Sequence, residues 1–251
     1  MVVKHSAGYF SNMTIRLYEL LDFMRTHGRY PDFIDSSEQF GFYKKDQTQD
    51  ISKLYIKEVS KEIDFNIPKL DVDFMAFQFG DYRNIDFAGL KPIIDKYFSL
   101  GELVEQKVSE LKTKYKLDKY ISVFYRGNDK QIEIDNPSYE LFIQKAKEVQ
   151  GDLPILILPD ECKFYKAFTK ELSNVILMEE TPCIDMPKGN LIFDMPMGNR
   201  VEYGAIYNAA VYLLSQGEHL ITHSGNGGVW ATLYRGHSNK VHQIYKDKIY
   251  V

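Results

Sequence analysis

From residue 120 onward the chain alternates short apolar runs with helical stretches of about ten residues, a pattern that restricts it to βαβ units and a parallel sheet. The run Tyr120-Ile121-Ser122-Val123-Phe124-Tyr125 is rich in β-branched and aromatic residues and reads as a buried strand. A helix is predicted over 138–149, a second buried strand over 153–158 and a helix over 163–172. Strand 175–178, helix 205–215, strand 219–222 and helix 228–234 continue the alternation, and 241–245 and 249–251 read as short closing strands.

The preceding half is less regular. Ile15, Leu17, Leu20, Leu21 and Met24 recur at helical spacing over 12–25, behind a small turn that contains Gly8. Segment 35–43 is turn-rich, 46–61 is polar and mixed, 73–79 is compatible with a strand, and 103–115 is a charged amphipathic helix. Within 251 residues this suggests two α/β lobes, one over 1–116 and one over 117–251.

A net charge of −4 argues against a broad nucleic-acid footprint. Cys162 and Cys183 are too few for a disulfide framework, and no Cys/His cluster has metal-ligand spacing. A reducing compartment fits. No window approaches the ~18 apolar residues of a membrane span, and the start Met1-Val2-Val3-Lys4-His5 lacks the features of a signal peptide. A cytoplasmic location, or a place within something larger, is expected.

Ligands of open parallel sheets bind beyond the carboxyl ends of the strands, and three such ends carry suitable residues. The first is Tyr125-Arg126-Gly127-Asn128-Asp129-Lys130. Arg126 can aim a fork of donors at phosphate oxygens, Gly127 permits close backbone approach, and Asp129 can orient the arginine; the alternative is a surface turn with an Arg–Asp pair. The second is Asp160-Glu161, whose carboxylates can read a base edge or cap the next helix. The third, His223-Ser224-Gly225-Asn226-Gly227-Gly228, runs from a strand into a helix and suits an anion, although such glycines also serve helix–sheet packing. It is neither a dinucleotide fingerprint nor a P-loop. Asp71-Val72-Asp73 has the spacing of a metal-binding Asp-x-Asp but precedes the regular half, and reads as chance; no metal is expected.

The run from Ile121 to Lys130 resembles the first shared motif of the α1,6- and protein O-fucosyltransferases and the bacterial nodulation fucosyltransferases, a strand followed by His-x-Arg and a polar turn. The strand ending at Asp160 and the unit Leu213-Leu214-Ser215-Gln216-Gly217-Glu218-His219-Leu220-Ile221 are similar to later segments of that family. Gly8-Tyr9-Phe10-Ser11-Asn12 is similar to its opening Gly-x-x-Asn loop, with His5 beside it. The resemblance implies a GT-B-like α/β fold, with an acceptor-side lobe over 1–116 and a nucleotide-sugar-binding lobe over 117–251, and an inverting, metal-independent transfer of fucose from GDP-fucose to a glycan acceptor, without a further cofactor. It implies that Arg126 binds the β-phosphate, that Asp160 and Glu161 read guanine, and that Ser224 to Gly228 hold the diphosphate. Phe124 stands where the family has histidine and Gly127 where the α1,6 enzymes have a second arginine. For the general base, Asp129, Glu133, Asp135 and His5 are candidates, Asp129 being best placed by sequence. Another GDP- or UDP-sugar, or a non-catalytic nucleotide-sugar or glycan-binding module, are the alternatives.

Overall fold

The computed structural model describes residues 1–70, 76–186 and 198–251, apart from the side chain of Asp129. The Asp-x-Asp spacing and the first part of the strand expected over 73–79 lie outside the described residues. Within the remainder of that strand, Phe77–Phe79 is a 3-10 turn instead.

The N-terminal half comprises β1 (Val2–His5), α1 (Tyr9–His27), β2 (Asp35–Gln39), α2 (Ser52–Tyr55), β3 (Ile56–Lys57), α3 (Phe87–Tyr97), β4 (Ser99–Leu100) and α4 (Glu102–Lys114). β1 and β2 pair in parallel around α1, and β3 and β4 make a short antiparallel pair. β2 occupies part of the segment read as turns; its sequence Asp-Ser-Ser-Glu-Gln has little strand propensity, and β1 supplies the pairing. α1 ends at Gly28, whose φ of 65° is the left-handed conformation and whose N–H closes on the Met24 carbonyl at 2.9 Å.

The second half follows the alternation: β5 (Ile121–Tyr125), α5 (Tyr139–Val149), β6 (Ile155–Pro159), α6 (Cys162–Glu171), β7 (Val175–Leu177), α7 (Arg200–Ser215), β8 (Leu220–His223), α8 (Asn226–Arg235), β9 (Val241–Tyr245) and β10 (Lys248–Tyr250). They form one sheet of order β10-β9-β8-β5-β6-β7, parallel except for the β9–β10 pair. Every residue of β5 and β6 is buried, as expected of parallel strands covered on both faces. Ile121, Val123 and Tyr125 face α5 and α6 in one apolar cluster. Phe124, Leu156, Leu158 and Leu220 face the other way, into a larger cluster that takes in α1, α3, α4, α7 and α8 and so bridges the expected boundary near Lys116.

The chain winds outward from β5 to β7 and then returns to lay β8 on the opposite side of β5. The switch between β5 and β8 therefore opens a crevice at their carboxyl ends. Cys162 and Cys183 are joined in a disulfide, with Cα atoms 4.9 Å apart. One bridge is not the framework that the sequence excludes, but it is a pairing the sequence did not announce; such bonds persist in oxidising surroundings. The bridge ties the start of α6 to the segment leading from β7 toward the crevice. Among the described residues, no helix is long and apolar enough to cross a membrane.

Candidate active site

Arg126 follows the last residue of β5, and Asp160 follows the last residue of β6; since Tyr125 pairs with Pro159, the two side chains meet across the strand ends. Arg126 Nε lies 3.1 Å from Asp160 Oδ2, and Arg126 Nη1 donates to the Tyr207 hydroxyl at 3.0 Å. Asp160 Oδ1 accepts from the Gly127 N–H at 2.7 Å and Oδ2 from the Asn128 N–H at 3.3 Å. The carboxylate expected to read guanine holds the 126–128 turn and faces the arginine. The carboxylate facing Arg126 is thus Asp160.

Glu161 is held by a neighbouring tyrosine. Its Oε2 accepts from the Tyr139 hydroxyl at 2.7 Å, on the α5 side of the sheet. What approaches Gly127 closely is this carboxyl group: a Cβ there would meet it at 2.3 Å. Asn128 stitches the turn to the segment carrying Cys183: Nδ2 donates to the carbonyls of Asp160 and Ile184, each at 2.7 Å, and Oδ1 accepts from the Met186 N–H at 3.0 Å.

These contacts border a narrow cleft walled by Phe124, Leu158, Pro182, Ile184, Tyr203 and Tyr207, with Arg126 and Asp160 at its polar edge. Tyr203 and Tyr207 lie one turn apart on α7 with rings nearly coplanar in orientation, 3° between planes and 6.3 Å between centroids. Phe10 packs on Tyr207 from behind at 5.6 Å. The helix expected from 205 leaves out Tyr203 and gives Tyr207 no partner; their spacing of four residues, beside an Asn199 cap, was the available signal.

The glycine-rich turn is more enclosed than its sequence suggests. Ser224 is buried, accepts from Gln243 Nε2 at 2.8 Å, and gives its N–H to the Ile244 carbonyl. The Gly225 N–H donates to the Tyr82 hydroxyl at 3.1 Å and the Asn226 N–H to Gln78 Oε1 at 3.2 Å. Asn226 Oδ1 accepts from the Thr14 hydroxyl at 2.7 Å. A Cβ on Gly228 would come within 2.4 Å of the His223 carbonyl oxygen, so this glycine serves close helix–strand packing. A Cβ on Gly227 would strike the Phe124 ring at 2.6 Å. Of the turn, only Asn226 and Gly227 remain partly exposed.

Lys130, quoted in the motif but given no role, is buried beside that turn. Its ammonium reaches Gln78 Oε1 and Glu133 Oε2, both at 2.7 Å, sits 4.8 Å from the centre of the Phe79 ring, and would lie 3.5 Å from a Cβ on Gly225. The 3-10 turn at Phe77–Phe79 and Tyr82 thus close over the end of β8 from the N-terminal half.

His223 is buried. Its Nδ1 lies 2.6 Å from the Arg126 carbonyl oxygen, which can only accept, so Nδ1 carries the proton and Nε2, also buried, is a bare acceptor. Burial lowers its pKa to about 3. His242, stacked on His219 with Nε2 2.9 Å from His219 Nδ1, is lowered to about 4, again chiefly by burial. Both titrate near 6.5 when unfolded, so they are neutral in the fold and neither destabilises it above that pH. As pH falls below 6.5 the unfolded chain takes up the protons first, and stability drops by up to about 1.4 kcal/mol per pH unit for each histidine. Urea midpoints measured from pH 7 to pH 4 are expected to fall steeply, and His242→Gln to flatten the slope; an unchanged slope contradicts the assignment.

In the N-terminal loop, Asn12 is fully buried: its Nδ2 donates to the Ala7 and Gly8 carbonyls and its Oδ1 accepts from the Phe40 N–H at 3.0 Å. Tyr9 is buried against Tyr43 and Tyr55 and its hydroxyl accepts from Asn208. Gly8, Tyr9, Phe10 and Asn12 therefore shape the loop rather than line it, whereas His5 is half-buried with Nε2 2.9 Å from Ser11 Oγ. Among the described residues no three His, Cys, Asp or Glu side chains converge to hold a metal ion. The Asp129 side chain lies outside the described residues.

No protein-family model matches the chain, and no curated protein is similar to it in sequence. Its structure is similar to that of the fucosyltransferase NodZ from Bradyrhizobium, with a TM-score of 0.54 and 11% sequence identity over 93% of this chain and 91% of that one. The fold is therefore a fucosyltransferase-like GT-B α/β fold.

Proposed function

We propose that the chain is a glycosyltransferase that binds a nucleotide-sugar donor at the carboxyl end of β5, in the cleft edged by Arg126 and Asp160. The observation that carries this reading is Arg126, held by Asp160 and Tyr207 at the rim of an aromatic cleft, in the fold of a fucosyltransferase. The flat walls of Tyr203, Tyr207 and Phe124 suit the face of a nucleobase, and the fixed guanidinium suits a diphosphate. GDP-fucose is the donor we favour, on the motif resemblance around Arg126.

The reaction would be a single in-line displacement at the anomeric carbon. The acceptor oxygen forms its bond as the bond to the nucleoside diphosphate breaks, the leaving charge is met by Arg126, and the hydroxyl proton passes to a base. No metal is required in this scheme. Of the candidate bases, Glu133 is the one the fold pairs with Lys130 beside Gly225, and its side chain is 44% exposed and open to an acceptor. Glu133→Gln is expected to lower turnover about a hundredfold while leaving nucleotide affinity unchanged. A panel of GDP- and UDP-sugars tests the donor: turnover confined to UDP-sugars removes fucose, and affinity without turnover of any donor favours a binding module.

A further inference from the structure

We propose that a groove beside the cleft, between the 41–45 segment and the start of α7, binds the anionic group of a negatively charged glycan acceptor. The proposal rests on the transferase reading for the word acceptor, and on its own observations for the charge. The groove's lining includes Lys44, Lys45 and Arg200 and, among the described residues, no carboxylate. None of these three cations makes an ion pair with a described residue, whereas Lys57, Lys107 and Lys114 elsewhere on the surface all face glutamates. In a chain of net charge −4, three unneutralised cations around one depression make a local field that attracts anions.

The cations are also placed. The Lys44 ammonium donates to the Ser37 carbonyl, and Lys44 is only 6% exposed. The Arg200 guanidinium stands 4.8 Å over the Phe42 ring. Lys45 is exposed and completes the rim.

One face of α7 runs from the groove to the cleft. Arg200, Tyr203 and Tyr207 fall at i, i+3 and i+7 of α7 and share one face, and Tyr43, in the groove lining, lies beside both tyrosines. At 1.5 Å per residue the step from Arg200 to Tyr207 spans about 10 Å. A saccharide with its reacting hydroxyl near Arg126 and Tyr207 would therefore place a carboxylate or phosphate about that far away on the cationic rim, with aromatic rings between.

The test is ligand-observed NMR and calorimetry on the whole chain with three probes: a neutral disaccharide, its uronate counterpart and its phosphate monoester. At low salt at least one acidic probe is expected to bind about tenfold more tightly than the neutral one. That preference should vanish in ~0.5 M salt, where screening is short-ranged, and in Lys45→Gln/Arg200→Gln, while Arg200→Lys retains most of it. The tighter of the two acids identifies the anion. Equal affinity for all three probes, or a preference that survives the double substitution in a chain with unchanged melting temperature, overturns the proposal. GDP titrated into the same samples separates the two readings. Nucleotide binding without an acid preference removes the groove alone; an acid preference without nucleotide binding removes the transferase and leaves an anionic-glycan site.

Discussion

Arg126→Ala is expected to lower kcat/KM for sugar transfer about a thousandfold. Removing one preorganised donor to a developing oxyanion costs about 10²–10³ in rate, and here the lost group is also the cation nearest the cleft's polar edge. The side chain is fixed from two directions, by Asp160 at 3.1 Å and by the Tyr207 hydroxyl at 3.0 Å, so little reorganisation is needed as charge develops. The fold should survive, because Asp160 keeps the Gly127 and Asn128 N–H groups as partners after the arginine is gone. Arg126→Lys should recover part of the rate only, since one ammonium cannot reproduce the fork that meets both partners. Steady-state kinetics on material of matched melting temperature checks this; a loss of less than tenfold contradicts the role.

Trp230→Ala is expected to be the most destabilising single truncation, by about 3–5 kcal/mol. Trp230 is fully buried, packs on Phe98 at 5.0 Å and Tyr234 at 5.8 Å, and donates from Nε1 to the Thr14 hydroxyl at 3.0 Å. Thr14 in turn reaches Asn226 Oδ1, so one side chain links α1 of the N-terminal half, α8 of the second half and the turn at the end of β8. A drop of roughly 10 °C in melting temperature follows for a domain of this size. Trp230→Phe should restore most of the packing and leave a deficit of about 1 kcal/mol for the hydrogen bond.

The regular half was legible because parallel strands buried on both faces must be apolar along their whole length, and β5 and β6 announce themselves as Ile-Ser-Val-Phe-Tyr and Ile-Leu-Ile-Leu-Pro. The N-terminal half hid its elements for specific reasons. α3 contains Gly89 and Pro92, which weaken any helical reading, yet Asp86 caps it and Leu90, Ile93 and Ile94 bury it. β2 is polar and exists through its pairing with β1.

Within the candidate site, Arg126 was found because a basic residue at a strand end in an α/β sheet is a local signal. The partners that position it were not, since Tyr207 comes from a helix 81 residues further on and Asp160 from the neighbouring strand. Gly228 shows the limit of motif reading: a glycine that suits phosphate approach equally suits the contact with the His223 carbonyl, and only coordinates separate the two. Lys130 and Gln78 meet over the turn from segments 52 residues apart, a juxtaposition no local pattern encodes.

The most direct test of the account is calorimetric titration of GDP, UDP and GDP-fucose, with EDTA present, into the wild-type chain and Arg126→Ala. The account predicts metal-free binding selective for the guanine nucleotides, abolished or weakened at least a hundredfold by the substitution. Absence of binding by any of the three, or affinity that Arg126→Ala leaves intact, would contradict a donor site at the end of β5.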